Sequence, residues 1–176
     1  MNEQYERVAI VTGATSGIGE ATARLFVASG FGVVGIGRNA EKLAEQEREL
    51  GQAFVGVAGD ASDESMIGCL FAIAIERLGQ EADIVVANAG RGLGGSVKDA
   101  DLSEFREVFE INVQGALLLL QQAARRMVVL QEGRFPRKAA DIVVFGSTVG
   151  YHISPFSAVY GSTKFAVHSL AEGLRR

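Results

Sequence analysis

Short, unbroken apolar runs alternate along this chain with longer stretches whose apolar residues recur at helical spacing. Residues 8–11 are all apolar and run into Gly13, the pattern of a strand buried on both faces. Ile18, Ala21, Thr22, Leu25 and Phe26 then follow a helical period up to Gly30. Residues 33–36 repeat the strand pattern, and a charged, weakly amphipathic helix is predicted over residues 41–50, with Leu43 and Leu50 facing inward. Residues 54–58, 84–87 and 142–145 are predicted as three more strands. Met66, Ile67, Leu70, Phe71, Ala74 and Leu78 mark the helix between the first two of these. Phe105, Phe109, Val113, Leu117, Leu120 and Ala124 mark one long helix over residues 102–127, and a last helix begins near Ser157.

Repeated strand-then-helix units with short connections predict an α/β fold, a doubly wound parallel sheet with helices on both faces. The 176 residues suit one domain over 1–176, with no internal repeat or linker. In such sheets ligands bind beyond the carboxyl ends of the strands. Residues that carry chemistry are therefore expected at those ends.

Composition narrows the functional classes. A net charge of −4 offers nothing to nucleic acid or to an anionic membrane, and neither is expected as a partner. The basic run over 134–138 is interrupted by Phe135 and Pro136 and reads as a solvated loop. The single cysteine, Cys69, excludes a disulfide within the chain and favours a reducing, cytoplasmic setting. Cys69, His152 and His168 share no ligand spacing, so no metal is expected. The first apolar run is too short for the core of a signal peptide or a membrane span.

The first strand-to-helix turn reads Thr12-Gly13-Ala14-Thr15-Ser16-Gly17-Ile18-Gly19. Glycines there let backbone amides approach a pyrophosphate, and the helix N-terminus adds partial positive charge. No lysine follows the last glycine, which disfavours a nucleoside-triphosphate loop. A site selective for NAD places an acid at the end of the second strand, whereas this chain has Arg38, suited to the 2′-phosphate of NADP. The plainer reading of Arg38 is a surface arginine near a helix start. Asp60 with Ala61 and Asn88-Ala89-Gly90 end the third and fourth strands. Asp60 could hold an adenine amino group, and Asn88 could either touch a cofactor or tie strand ends together.

The fifth strand delivers Ser147, and the last helix opens with Tyr160-Gly161-Ser162-Thr163-Lys164. Tyr160 and Lys164 lie four apart, on one helix face. A cation about 4 Å from a phenol stabilises its ionised form by about 4 kcal/mol at an effective dielectric near 20. Alone, the pair also reads as an ordinary amphipathic helix, and Ser147 as a turn cap. No Gly-x-Ser-x-Gly elbow surrounds Ser147, which disfavours a serine hydrolase.

Together these residues resemble the short-chain dehydrogenase/reductase family over essentially the whole chain. The turn at 12–19 matches the family's cofactor turn, and residues 88–90 its Asn-Ala-Gly signature. Asn112 in Ile111-Asn112-Val113-Gln114-Gly115 matches its helix asparagine, and Ser147, Tyr160 and Lys164 its catalytic set. The resemblance implies a Rossmann-type fold and hydride transfer between NADP(H), with NAD disfavoured, and a small carbonyl or alcohol substrate. Tyr160 would exchange the proton with the substrate oxygen and Ser147 would orient that oxygen. Lys164 would hold the nicotinamide ribose and favour the ionised phenol, and Asn112 would anchor a proton-relaying water. Ala87 departs from the asparagine that often precedes the Asn-Ala-Gly signature.

The resemblance also implies a homodimer or homotetramer built on the two longest helices, and four consecutive leucines, Leu117 to Leu120, are wider than one core-facing stripe needs. Members of the family continue through further strands, a loop against the nicotinamide and a substrate lid. The chain as given ends before those parts, so a longer folded chain is expected. Most residues that shape a substrate pocket fall there, leaving Val149, Ile153 and Phe156 as a predicted apolar wall. Two other classes compete with the enzyme: a catalytically silent dinucleotide-binding module, which has no use for Asn112, Ser147, Tyr160 and Lys164 together, and a methyltransferase, disfavoured by the tyrosine–lysine pair.

Overall fold

Residues 8–12 are buried along their whole length and form the central strand, β1 (Val8–Thr12). The computed structural model describes residues 5–129 and 139–176; the run at 134–138 lies outside them. The remaining elements follow as α1 (Gly17–Ala28), β2 (Gly32–Gly37), α2 (Ala40–Leu50), β3 (Phe54–Ala58), α3 (Glu64–Leu78), β4 (Ile84–Ala87), α4 (Leu102–Phe109), α5 (Gly115–Val129), β5 (Asp141–Val144) and α6 (Ala158–Arg175). Among the described residues the sheet has the order β3-β2-β1-β4-β5, and every pairing is parallel.

Both faces of this Rossmann-type sheet are covered, and successive β1 residues feed opposite cores. Val8 and Ile10 join Phe71, Leu70 and Leu119 on the side of α3, α5 and α6. Ala9 and Val11 join Ala23, Leu43 and Phe54 on the side of α1 and α2. The apolar runs of β1, β2 and β4 lack a polar alternation because neither face of these central strands meets water.

β5 borders the described sheet and is half-open, with Val143 42% exposed. At the amino-terminal edge Arg7 fastens three strands: its Nε donates to Asp83 at 3.0 Å and its Nη1 to Asp141 at 2.6 Å. Asp83 also accepts from the Val8 amide at 3.2 Å, so its carboxylate is held from two sides at the end away from the glycine turn.

The long helix expected over 102–127 is divided. α4 ends at Phe109, a π-helical turn spans Glu110–Gln114, and α5 starts at Gly115. The apolar period runs through the break unchanged. What interrupts it is polar: buried Asn112 sits in the turn with its side chain bonded to other elements. Cys69, predicted within an apolar helix, lies on the exposed side of α3. Among the described residues no helix is long and apolar enough to cross a membrane, and no cluster of His, Cys, Asp and Glu is arranged to hold a metal.

Candidate active site

The turn after β1 folds back on itself too closely for side chains. Gly13 lies at φ +69°, and a Cβ there would stand 2.8 Å from the Asn88 amide nitrogen. A Cβ on Gly19 would overlap the Gly13 carbonyl and the same amide. Thr12 fastens the turn to β4. Its buried hydroxyl donates to the Val86 carbonyl at 3.2 Å and accepts from the amides of Asn88 and Ala89 at 3.0 Å each. Asn88 Nδ2 returns a bond to the Thr12 carbonyl at 2.9 Å. Of the two roles open for Asn88, the structure shows the tie between strand ends.

From the other side wholly buried Gln46 donates to the Ala14 carbonyl at 2.9 Å. Sequence reasoning missed Thr12 and Gln46. Gln46 was discoverable as the polar member of the inward stripe formed with Leu43 and Leu50.

Asn39, Asp63 and Asp101 cap α2, α3 and α4 by accepting bonds from first-turn amides, whereas Ser16 on α1, like Ser157 on α6, makes no side-chain cap. That open helix end sits in a groove of about 660 Å³ lined by Gly13, Thr15, Ser16, Gly17 and Ile18. Gly37 and Arg38, Asp60 and Ala61, and Asn88, Ala89 and Gly90 line it from the ends of β2, β3 and β4, and Arg91, Glu107 and Glu110 border it on the side of α4. Uncapped amides with the helix dipole behind them suit an anion. Gly37 lies so close to the Thr15 side chain that a Cβ would overlap it, which brings Arg38 up beside the turn. Asp60 Oδ1 accepts from Ser62 N at 2.8 Å and Ser62 Oγ at 2.7 Å. Those bonds, with Arg38 nearby, hold its carboxyl below the ordinary range.

At the other end Asn112 meets α6. Its Oδ1 accepts from Arg91 N at 2.9 Å, and its Nδ2 donates to Arg91 O at 3.0 Å and Thr163 Oγ1 at 3.1 Å. Thr163 Oγ1 in turn donates to the Tyr160 carbonyl at 2.7 Å. Lys164 is 7% exposed, donates to the Phe145 carbonyl at 2.9 Å and stands 5.9 Å from the centre of the Tyr160 ring. Burial pushes its ammonium below the ordinary lysine range, and no carboxylate among the described residues pairs with it.

Ser147 precedes a 3-10 turn, Thr148–Gly150, with its Oγ 3.4 Å from the Val149 amide, the expected capping geometry. It makes no hydrogen bond to Tyr160 or Lys164 among the described residues. Of the expected apolar wall, Ile153 packs on Gly161 next to Tyr160, whereas Phe156 is 73% exposed.

A groove at the carboxyl ends of a doubly wound sheet is where folds of this class take their ligands. The family model described as short chain dehydrogenase matches residues 7–176, and the chain belongs to that family of oxidoreductases. An uncharacterized oxidoreductase of Staphylococcus epidermidis is 32% identical over 176 residues, covering 100% of this chain and 73% of that protein. The closed form of serine dehydrogenase complexed with NADP+ superposes with a TM-score of 0.85 at 29% identity, over 96% of this chain and 65% of the other. A short-chain dehydrogenase/reductase from Burkholderia phymatum in complex with NAD gives 0.87 at 30% identity, over 99% and 60%. The chain thus spans 60–65% of the length of these solved relatives.

Thr12→Val leaves two half-buried amides without their acceptor, an expected loss of about 1 kcal/mol. Urea unfolding reads this directly, and an unchanged midpoint would show that the latch carries no stability.

Proposed function

We propose that the chain carries the cofactor-binding and catalytic residues of an NADP-dependent oxidoreductase acting on a small carbonyl or alcohol, with Tyr160 as general acid and base. The observation that carries this reading is Lys164, a buried cation without a carboxylate partner among the described residues, one helical turn from a tyrosine. An unpaired buried charge is costly. Groups kept that way in a cleft are candidates for function.

The groove fits a dinucleotide. Its floor is backbone packed too closely for a Cβ on Gly19, and its helix end lacks a capping side chain. Gly13, Thr15, Ser16, Gly17, Ile18 and Gly19 would bind the pyrophosphate. Arg38 would pair with the 2′-phosphate, Asp60 and Ala61 would hold the adenine, and Asn88, Ala89 and Gly90 would flank the adenosine. Tyr160 and Lys164 would hold the nicotinamide ribose. When bound, the dinucleotide supplies or accepts the hydride.

Proton handling falls to the protein. Lys164 Nζ stands 5.9 Å from the centre of the Tyr160 ring, on the same face of α6. Tyr160 would then give its proton to a carbonyl oxygen or take one from an alcohol, while the Ser147 hydroxyl orients that oxygen. Asn112 positions α6 through Arg91 and Thr163, besides anchoring a relay water. Self-association as a homodimer or homotetramer, and a cytoplasmic setting, belong to the same reading. Phe109, Leu117 and Phe165 lie exposed on α4, on α5 and on α6.

Tyr160→Phe should lower turnover about 10²–10⁴-fold while NADPH affinity falls far less, since Lys164 still holds the ribose. Equal turnover in mutant and wild type would remove Tyr160 from the mechanism. Arg38→Asp should weaken NADPH binding about tenfold or more, the scale of one charge-assisted bond, and turn preference toward NADH. A wild type that already binds NADH more tightly in fluorescence titration contradicts the cofactor assignment.

A further inference from the structure

His168 stands one helical turn beyond Lys164 on α6, and the reading above makes no use of it. Its half-buried imidazole lies between two backbone groups of the segment that carries Ser147. The Ser147 amide donates to Nε2 at 3.4 Å, and Nδ1 lies 3.2 Å from the Gly150 carbonyl oxygen. A peptide amide only donates and a carbonyl only accepts. The two partners therefore select one proton arrangement, with hydrogen on Nδ1 and a lone pair on Nε2.

Further residues shape this pocket. The Tyr151 ring lies 4.2 Å from the imidazole, centre to centre, at 34°. A Cβ on either Gly146 or Gly150 would overlap the imidazole. The strand end and turn that hold Ser147 are thus built around one ring.

We propose that His168 is a positioning residue for Ser147. In its neutral form, protonated on Nδ1, it clamps both ends of the turn from Ser147 to Gly150 and so sets the direction of the Ser147 hydroxyl. The inference rests on the proposed role of Ser147 in orienting the substrate oxygen. Ser147 Oγ is itself the acceptor for the Val149 amide at 3.4 Å, so the hydroxyl follows the backbone of the turn. A misplacement of about 1 Å at a reacting group costs up to about a hundredfold in rate. The cofactor groove is lined by other strand ends, so cofactor affinity should not respond.

Two measurements on the full chain test this. In the first, nitrogen NMR of imidazole-labelled protein, with His152→Gln used to assign the only other histidine, should show hydrogen on Nδ1 and bare Nε2 at His168. Hydrogen on Nε2, or an averaged mixture, overturns the clamp whether or not the protein turns over. In the second, reduction of 4-nitrobenzaldehyde by NADPH is followed in two variants. His168→Phe keeps a ring but neither hydrogen bond, and should lower kcat about ten- to a hundredfold with NADPH affinity within about twofold. His168→Gln restores a donor and an acceptor and should recover most of that loss. It also serves if the phenylalanine variant does not fold. Full activity in His168→Phe, or a matching loss in both variants, overturns the positioning role alone. A wild type that binds NADPH but does not reduce the aldehyde, with Tyr160→Phe indistinguishable from it, overturns the parent reading instead.

Discussion

The candidate site depends on one buried amide. Asn112 uses its side chain to join the loop after β4, through both backbone groups of Arg91, to α6, through Thr163. Thr163 passes the connection to the first turn of α6 by donating to the Tyr160 carbonyl. A buried amide left unpaired is costly, so the helix that approaches these partners yields and becomes a π-helical turn. Such turns are frequent at functional sites. Neighbouring backbone closes in on both sides: a Cβ on Gly90 would stand 2.8 Å from Asn112 Oδ1, and one on Gly115 would stand 2.7 Å from the Ala61 carbonyl. The cofactor groove and the helix bearing Tyr160 and Lys164 are thereby held as one piece.

The two edges of the sheet are treated differently. At the amino edge Arg7 bridges Asp83 and Asp141, so that both carboxylates are hydrogen-bonded. At the carboxyl edge the binding capacity is left open: an uncapped α1, the exposed Arg38, and the Lys164 ammonium with no carboxylate beside it among the described residues. A protein that needed only stability would cap the helix and pair the lysine. The polar groups that bond there, Thr12, Asn88 and the amide nitrogen of Gln46, face backbone and fix the shape of the turn.

The fold was legible because neither sheet face meets water. Continuous apolar runs such as Val8 to Val11 therefore mark strands to within a residue or two. The glycine turn was legible because only glycine tolerates the position of Gly13. The division between α4 and α5 was not, since its cause is a hydrogen bond between Asn112 and Thr163, 51 residues apart, with no local trace in the period. His168 escaped for a related reason. It is a polar residue whose partners are backbone atoms of another segment, and a sequence does not display those. Tyr160 and Lys164 were visible as a pair, but the burial that makes the lysine chemically distinctive emerged only in three dimensions.

Membership of an oxidoreductase family fixes the broad chemistry, and the residues proposed here assign its parts: dinucleotide along the strand ends, proton transfer on α6. The most direct test follows the hydride. The full chain is incubated with an aldehyde and NADPH carrying deuterium at both C4 positions of the nicotinamide, and the alcohol is read by mass spectrometry. One deuterium at the carbinol carbon for each dinucleotide oxidised is the expected result. Alcohol without deuterium, or no alcohol while the dinucleotide is demonstrably bound, would contradict hydride transfer at this site.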